Sequence, residues 1–227
     1  MEVLKMFSKS KKIVFHSDKT NFDILRPFPT SKGVPNWWRK MSRVVDGVET
    51  VKTCVPFLDS LTIGYTIPLP ADVFWNDEIK DFTTTAKFQL NSDHMPIQTA
   101  GVEIPDIYDP QPHKWLNSWH VRTPPGYSTL FVHPMNRMDL PFHSFSGVVD
   151  TDKHNLVINF PFVLRKDFRG IIPAGTPIIQ AIPFKRDDWE SEIKDSGEPY
   201  KYAKGFEVFG PPFSWYKRSS WNKKKFN

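Results

Sequence analysis

Two carboxylates, Asp150 and Asp152 in "FSGVVDTDKHN" (145–155), close a short apolar run. A carboxylate on such a turn can orient a water and accept a sugar hydroxyl. Beside a triphosphate it needs a divalent cation to tolerate the added negative charge. The same residues also make a plain turn, because Asp and Thr after a strand bond to neighbouring backbone groups without any ligand. Phosphates need donors from Arg, Lys, hydroxyls or backbone N–H groups. Near these carboxylates the sequence offers few, chiefly Asn136, Arg137 and Lys153.

Histidines are the second chemistry-bearing set. His133 and His143 flank "HPMNRMDLPFH", and His120 sits one strand earlier. Three imidazoles meeting at one mouth could hold a metal. There is no His-x-His pair, however, and the lone His-x-Asp, His16 with Asp18, stands near the N-terminus without a partner. The histidines are read as core or surface residues, and no resident metal or cofactor is expected.

The third set is the C-terminal run 215–226, in which Trp215, Tyr216, Trp221 and Phe226 interleave with Lys217, Arg218, Lys223, Lys224 and Lys225. Such a composition can stack on bases while neutralising phosphates. It can equally dock on an acidic neighbour through cation–π contact, or fray into solvent. The net charge is +5 and this run carries five cations, so the remainder sums to zero (5 − 5). The body is therefore no basic nucleic-acid groove, and the tail is the basic element.

The elements that must position these residues are short strands. Among 227 residues, 21 Pro and 11 Gly interrupt the chain too often for long helices. An aromatic share of 15% lets few residues bury much area. "KKIVFHSD" predicts a strand and "VPNWWRKM" a helical turn opened by Pro35 and Asn36. "DFTTTAKFQL" (81–90) alternates with a period of two, and "WHV", "YSTLFVH", "SGVV", "LVINFPFVL" and "GIIPAGTPIIQAIPF" repeat the strand signature. Residues 92–118 read as a long loop, "DDWESEIKD" as a short helix capped by Asp187, and "YAKGFEVF" as a last strand. Strand spacing of this kind predicts a sandwich or closed barrel. The organisation expected is an N-terminal extension (1–50), one β domain (51–210) and a basic aromatic tail (211–227).

A single cysteine, Cys54, excludes an intrachain disulfide and reads as a small buried hydrophobe. The N-terminus has lysines but no apolar segment of a signal peptide, and no apolar run reaches the ~18 residues of a membrane span. A soluble, intracellular or particle-bound protein is expected, with no secretion and no membrane partner.

Three segments in order, 61–73, 123–153 and 171–184, resemble the pattern of dUTPase-like proteins. Gly64 and Tyr65 match the first motif, with Thr66 where the family has aspartate. Pro125, Gly126 and Tyr127 match its turn. "HPMNRMD" stands where the family has Arg-Ser-Ser and keeps no serine, leaving Asn136 and Arg137 to meet an anion. Asp150 and Asp152 match the two aspartates of the next motif, with Lys153, His154 and Asn155 in place of Tyr-Arg-Gly, and Gln180 matches the final glutamine. The resemblance implies a distorted β-barrel or jelly roll that forms homo-oligomers. It also implies a ligand pocket using Tyr65, Tyr127, Asn136, Arg137, Asp152 and Lys153. If the family's hydrolysis is kept, Asp150 positions the water, Gln180 holds it or a phosphate oxygen, and Mg²⁺ arrives with the nucleotide.

The run "VRTPPGYSTLFVHPMNR…GVVDTD…INFPF…GTPIIQAIPF" is also similar to a tailed-phage and bacterial family of unknown function, over about residues 50 to 190. It implies a phage origin. With the family's serine and tyrosine replaced, the function expected is a non-catalytic one. The chain would be a mainly-β phage protein acting by binding or assembly, as a virion component or host-directed factor, with the tail as partner surface and possible nucleic-acid contact. The alternatives are a nucleoside triphosphate pyrophosphohydrolase and a nucleotide- or sugar-binding module on the same fold.

Overall fold

Short alternating runs become five antiparallel sheets in the computed structural model, which describes residues 11–17, 25–78, 81–84, 101–194 and 212–227. The chain is mainly β, with few helices. The largest sheet has five strands in the order β12-β10-β15-β5-β2. These are β2 (Phe28–Pro29), β5 (Tyr65–Pro68), β10 (Tyr127–Val132), β12 (Gly147–Val149) and β15 (Pro177–Lys185). Facing it is a three-stranded sheet of β11 (Phe142–Ser144), β13 (Phe160–Leu164) and β8 (His113–Trp115). The remaining sheets join β14 (Ile171–Ile172), β6 (Val73–Asn76) and β7 (Asp81–Thr84), β1 (Val14–His16) with β9 (His120–Arg122), and β3 (Val44–Val45) with β4 (Val48–Glu49). Among the described residues no sheet closes on itself, so a closed barrel is not what these strands form.

Alternation delivers one face of each strand to a common core. Ile67, Phe131, Ile179 and Ala181 from the large sheet meet Trp115, Phe142, Phe160 and Phe162 from the facing one. Phe131 and Phe160 lie 5.3 Å apart across the gap, and Trp115 stacks on Phe162 at 3.7 Å. The Ser144 hydroxyl donates to the Ile178 carbonyl at 2.7 Å, tying the two sheets by a buried hydrogen bond.

Several elements depart from the sequence reading. β8 lies inside the stretch read as loop; Pro112 stands just before the strand, where a missing N–H costs no ladder bond. No helix forms over 187–194, because Trp189 and Ile193 are exposed with nothing to pack against, and a short helix gains little without such packing. The first half of the tail is helical: α3 (Pro212–Ser219) opens on a proline, which suits a first helical position. Helix α1 (Asn36–Lys40) forms after Pro35 as the sequence predicts, and α2 (Val55–Ser60) carries Pro56 in its first turn. Residues 85–100 and the strand expected at 202–209 lie outside the described residues. The first fifty residues supply β1 and β2, which pair with β9 and β5.

Candidate functional site

Pairing of β10 with β12 sets Thr129 opposite Val149, so Ser128 and Asp150 end up side by side at the sheet end. The Ser128 hydroxyl donates to Asp150 Oδ1 at 2.6 Å. Pairing of β10 with β15 sets Tyr127 opposite Lys185, which delivers Arg186 to the same corner. Its guanidinium forks onto both oxygens of Asp152 (2.9 and 2.5 Å). One nitrogen also reaches Asp150 (3.2 Å), Ser128 (3.0 Å) and the Tyr127 carbonyl (3.1 Å). The turn glycine completes the arrangement. Gly126 N–H donates to Asp152 at 2.8 Å, and its carbonyl accepts from Arg186 N–H at 2.9 Å. Between the two aspartates, Thr151 is fully buried and shares hydroxyl bonds with Thr123 (2.7 Å) and Thr129 (2.8 Å).

"VVDTDK" is thus a clamp that joins the "TPPGY" turn to the end of β15. The Asp152 side chain is 5% exposed, and the Arg186 guanidinium, followed by the Gly126 N–H, holds its carboxyl well below the usual range. Asp150 is 56% exposed, and the Ser128 hydroxyl, then Arg186, lower its pKa too. Both carboxylates remain charged at neutral pH and already have partners. Arg186, Ser128 and Thr151 are not among the residues that the sequence singles out. Arg186 follows a strand as one of many surface-type cations, and only strand pairing reveals its role.

Gln180 is not brought to Asp150. It sits opposite Val132, four residues along β10 from Ser128, a separation of about 13 Å at ~3.3 Å per residue. Its side chain is 1% exposed and fully used. Oε1 accepts from Met135 N–H (3.0 Å), while Nε2 donates to the carbonyls of Ser60 (3.0 Å) and Ile63 (2.7 Å). The pair therefore lies beyond the reach of one shared water. Gln180 instead pins the loop 133–140 to the end of α2.

That loop holds Asn136 and Arg137. Asn136 takes a left-handed backbone (φ 57°), which Asn tolerates better than most residues, and donates to Ser60 Oγ at 2.6 Å. Arg137 forks onto Asp139 at 2.8 Å through both nitrogens. Of the remaining ligand candidates, Tyr127 carries Lys11 over its ring at 4.5 Å, and Lys153 is exposed. Thr66 is buried, and its hydroxyl donates to the Thr30 hydroxyl at 3.1 Å. His133 and His143 stack at 4.5 Å, whereas His120, on β9, lies opposite His16 of β1. No group of three metal-ligating side chains gathers among the described residues.

Tyr65 anchors the tail instead of lining a pocket with Tyr127. Its ring meets Phe226 edge-on at 5.8 Å, and its hydroxyl donates to the Asn227 carbonyl at 3.3 Å. Burial raises its pKa. A second anchor is Asp59 in α2, which accepts from Trp221 Nε1 (3.0 Å) and Lys224 Nζ (2.7 Å). Trp221 and Phe226 are thus spent inward, with Tyr216, Trp221 and Phe226 half-buried, while Lys217, Arg218, Lys223 and Lys225 are exposed. Those four form no ion pair among the described residues. Lys217 and Arg218 join Arg43 and Lys52 around a cleft of about 510 Å³ whose lining holds one acid, Glu49. Trp215 lies in α3, its side chain outside the described part. No helix of the described residues is long and apolar enough to cross a membrane. No protein-family description, no curated protein and no solved structure matches the chain.

Proposed function

We propose that this chain is a binding protein acting by assembly, a virion component or host-directed factor of a tailed phage. Its C-terminal face is the surface that holds an acidic partner protein. The observation that carries this reading is the division of labour in the tail. Its Trp221 and Phe226 rings dock on Asp59 and Tyr65, and four cations that form no ion pair among the described residues remain exposed on the same segment. A basic face held in place by its own body loses less entropy on binding than a free arm. Opposite charge across an interface then steers encounter and fixes register. The Trp221 and Phe226 rings are spent on the body and not left free to stack on bases, which favours an acidic protein over single-stranded nucleic acid.

Kinship with the dUTPase-like fold, and a jelly-roll packing of the two main sheets, belong to the same reading. They rest on motif order along the chain. Pyrophosphohydrolysis with Mg²⁺ is not favoured, because Asp150 and Asp152 are clamped by Arg186 and Gln180 serves another corner.

The test is capture from phage-infected cells at low and high salt, comparing the wild type with Lys217→Glu/Arg218→Glu/Lys223→Glu/Lys225→Glu. Pyrophosphate release from Mg²⁺-deoxynucleoside triphosphates is measured in parallel. A protein retained by the wild type at low salt, and lost in the variant and at high salt, supports the reading. An unchanged set of partners refutes it. Turnover abolished by Asp150→Asn would restore the hydrolase.

A further inference from the structure

A hollow of about 590 Å³ opens between loop 133–140 and the segment around Tyr108, and no residue of the basic face lines it. Its volume falls in the range of small-molecule sites, roughly 300–1,000 Å³. Rings wall it. Tyr108 lies against His143 (6.2 Å, 46°), His143 stacks on His133 (4.5 Å, 28°), and Phe142 meets His133 edge-on (5.9 Å, 83°). At the rim two apolar side chains are left in water, Met138 at 89% and Ile107 at 63% exposed.

The charges at this hollow cancel locally. Arg137 is forked onto Asp139, and Arg165 is forked onto Asp167 at 2.9 and 2.7 Å. Among the described residues, an anionic ligand therefore finds no unpaired cation here, and a cationic one finds no unpaired carboxylate. His133 is fixed as a neutral ring. Its Nδ1 accepts from Ser144 N–H at 3.2 Å, and Nε2 lies 3.3 Å from the Arg137 carbonyl, where only an N–H can bond. Burial, then the neighbouring His143, bring its pKa down to about 4, and burial lowers His143 as well. The polar groups left to a ligand are uncharged: the His143 ring nitrogens and the hydroxyls of Tyr108 and Ser146, none hydrogen-bonded among the described residues.

We infer that the hollow walled by His133, His143 and Tyr108 is a binding site for an uncharged, flat nitrogen heteroaromatic of purine size. Rigid rings give such a ligand stacking area at little entropic cost. His143, Tyr108 and Ser146 supply in-plane donors and acceptors, and Met138 is flexible enough to cover an exposed ring face. Phosphorylated forms of the same ring are disfavoured, since no free cation among the described residues meets the phosphate.

The experiment is an NMR titration of the full chain with adenine and with adenosine 5′-monophosphate, following the imidazole Cε1–H signals of His133 and His143. Saturable shifts of both signals with adenine are expected, with the monophosphate binding about tenfold more weakly. His143→Ala, at an exposed position, weakens adenine about tenfold, and His143→Phe restores stacking within a few-fold. No saturable binding of adenine, an unaffected His143→Ala, or equal or tighter binding of the monophosphate would each overturn the proposal. The four-site Lys/Arg→Glu variant of the basic face binds adenine as the wild type does, which separates this site from the proposed function.

Discussion

Asp152 and Asp150 lie two residues apart and respond differently to substitution. Asp152 is enclosed and bidentate to Arg186, so Arg186→Met leaves a carboxylate without its counter-charge and lowers the urea midpoint at neutral pH. Asp150 is more than half exposed, and Asp150→Asn changes that midpoint little. The clamp also has a pH signature. A carboxylate whose folded pKa is depressed contributes stability above its unfolded value, near 3.8, and loses it as pH falls further. The gap between wild type and Arg186→Met therefore narrows below about pH 4, as acid titration of the midpoint will reveal. His133 acts in a separate window. Its folded pKa of about 4 lies below the ordinary 6.5, so its stabilisation is present above 6.5 and is lost as pH falls from there to about 4. His143 stacked on its face, and the Arg137–Asp139 pair of its own loop, stand around it. His133→Phe removes that part of the acid limb and leaves the part below pH 4.

Elements are joined here by side chains that reach backbone groups of another element. Gln180 on β15 bonds the loop 133–140 and the end of α2 at once, so Gln180→Leu leaves one N–H and two carbonyls without that partner. A loss of about 2–4 kcal/mol is expected in chemical denaturation, with the loop freed first in hydrogen exchange. Gly64, at the mouth of β5, has φ +73°, and a Cβ there would run into the Ala181 carbonyl of β15. Gly64→Ala should cost about 2 kcal/mol or more, because neither backbone can retreat without breaking the central ladder. The tail is held to the body through Asp59 and Tyr65. Trp221→Ala should loosen the tail and speed its cleavage by trypsin, while leaving the thermal midpoint of the body nearly unchanged.

For the whole molecule, stability comes from aromatic surface enclosed between the large sheet and its three-stranded partner. Phe162 is buried between Trp115, stacked at 3.7 Å, and Phe142, edge-on at 5.8 Å. Phe162→Ala is expected to cost about 3–5 kcal/mol by denaturation, the amount for a large ring lost from a core that cannot collapse. Charge is arranged on the same scale. Cations and anions of the body pair locally, as in Arg137–Asp139, Arg165–Asp167 and Arg186–Asp152, while the C-terminal segment keeps its cations exposed. Long-range attraction of an acidic partner then falls to that segment.

Alternation and punctuation settled what local forces settle. Period-two runs became β9, β10, β13 and β15, and Pro35 opened α1, because side-chain direction and proline geometry act within a few residues. Concentration of cationic charge in the tail was equally a property of the chain alone. The sequence could not tell β8 from loop, since its strand character depends on pairing with β13, forty-odd residues away. Nor could it say that Trp221 and Phe226 face the body, or that "DDWESEIKD" stays unwound for want of a packing surface. Above all, it could not show that Asp150 and Asp152 share one guanidinium. That depended on Arg186, which strand register alone carries to the same corner, where its charge is worth more to two fixed carboxylates than to solvent.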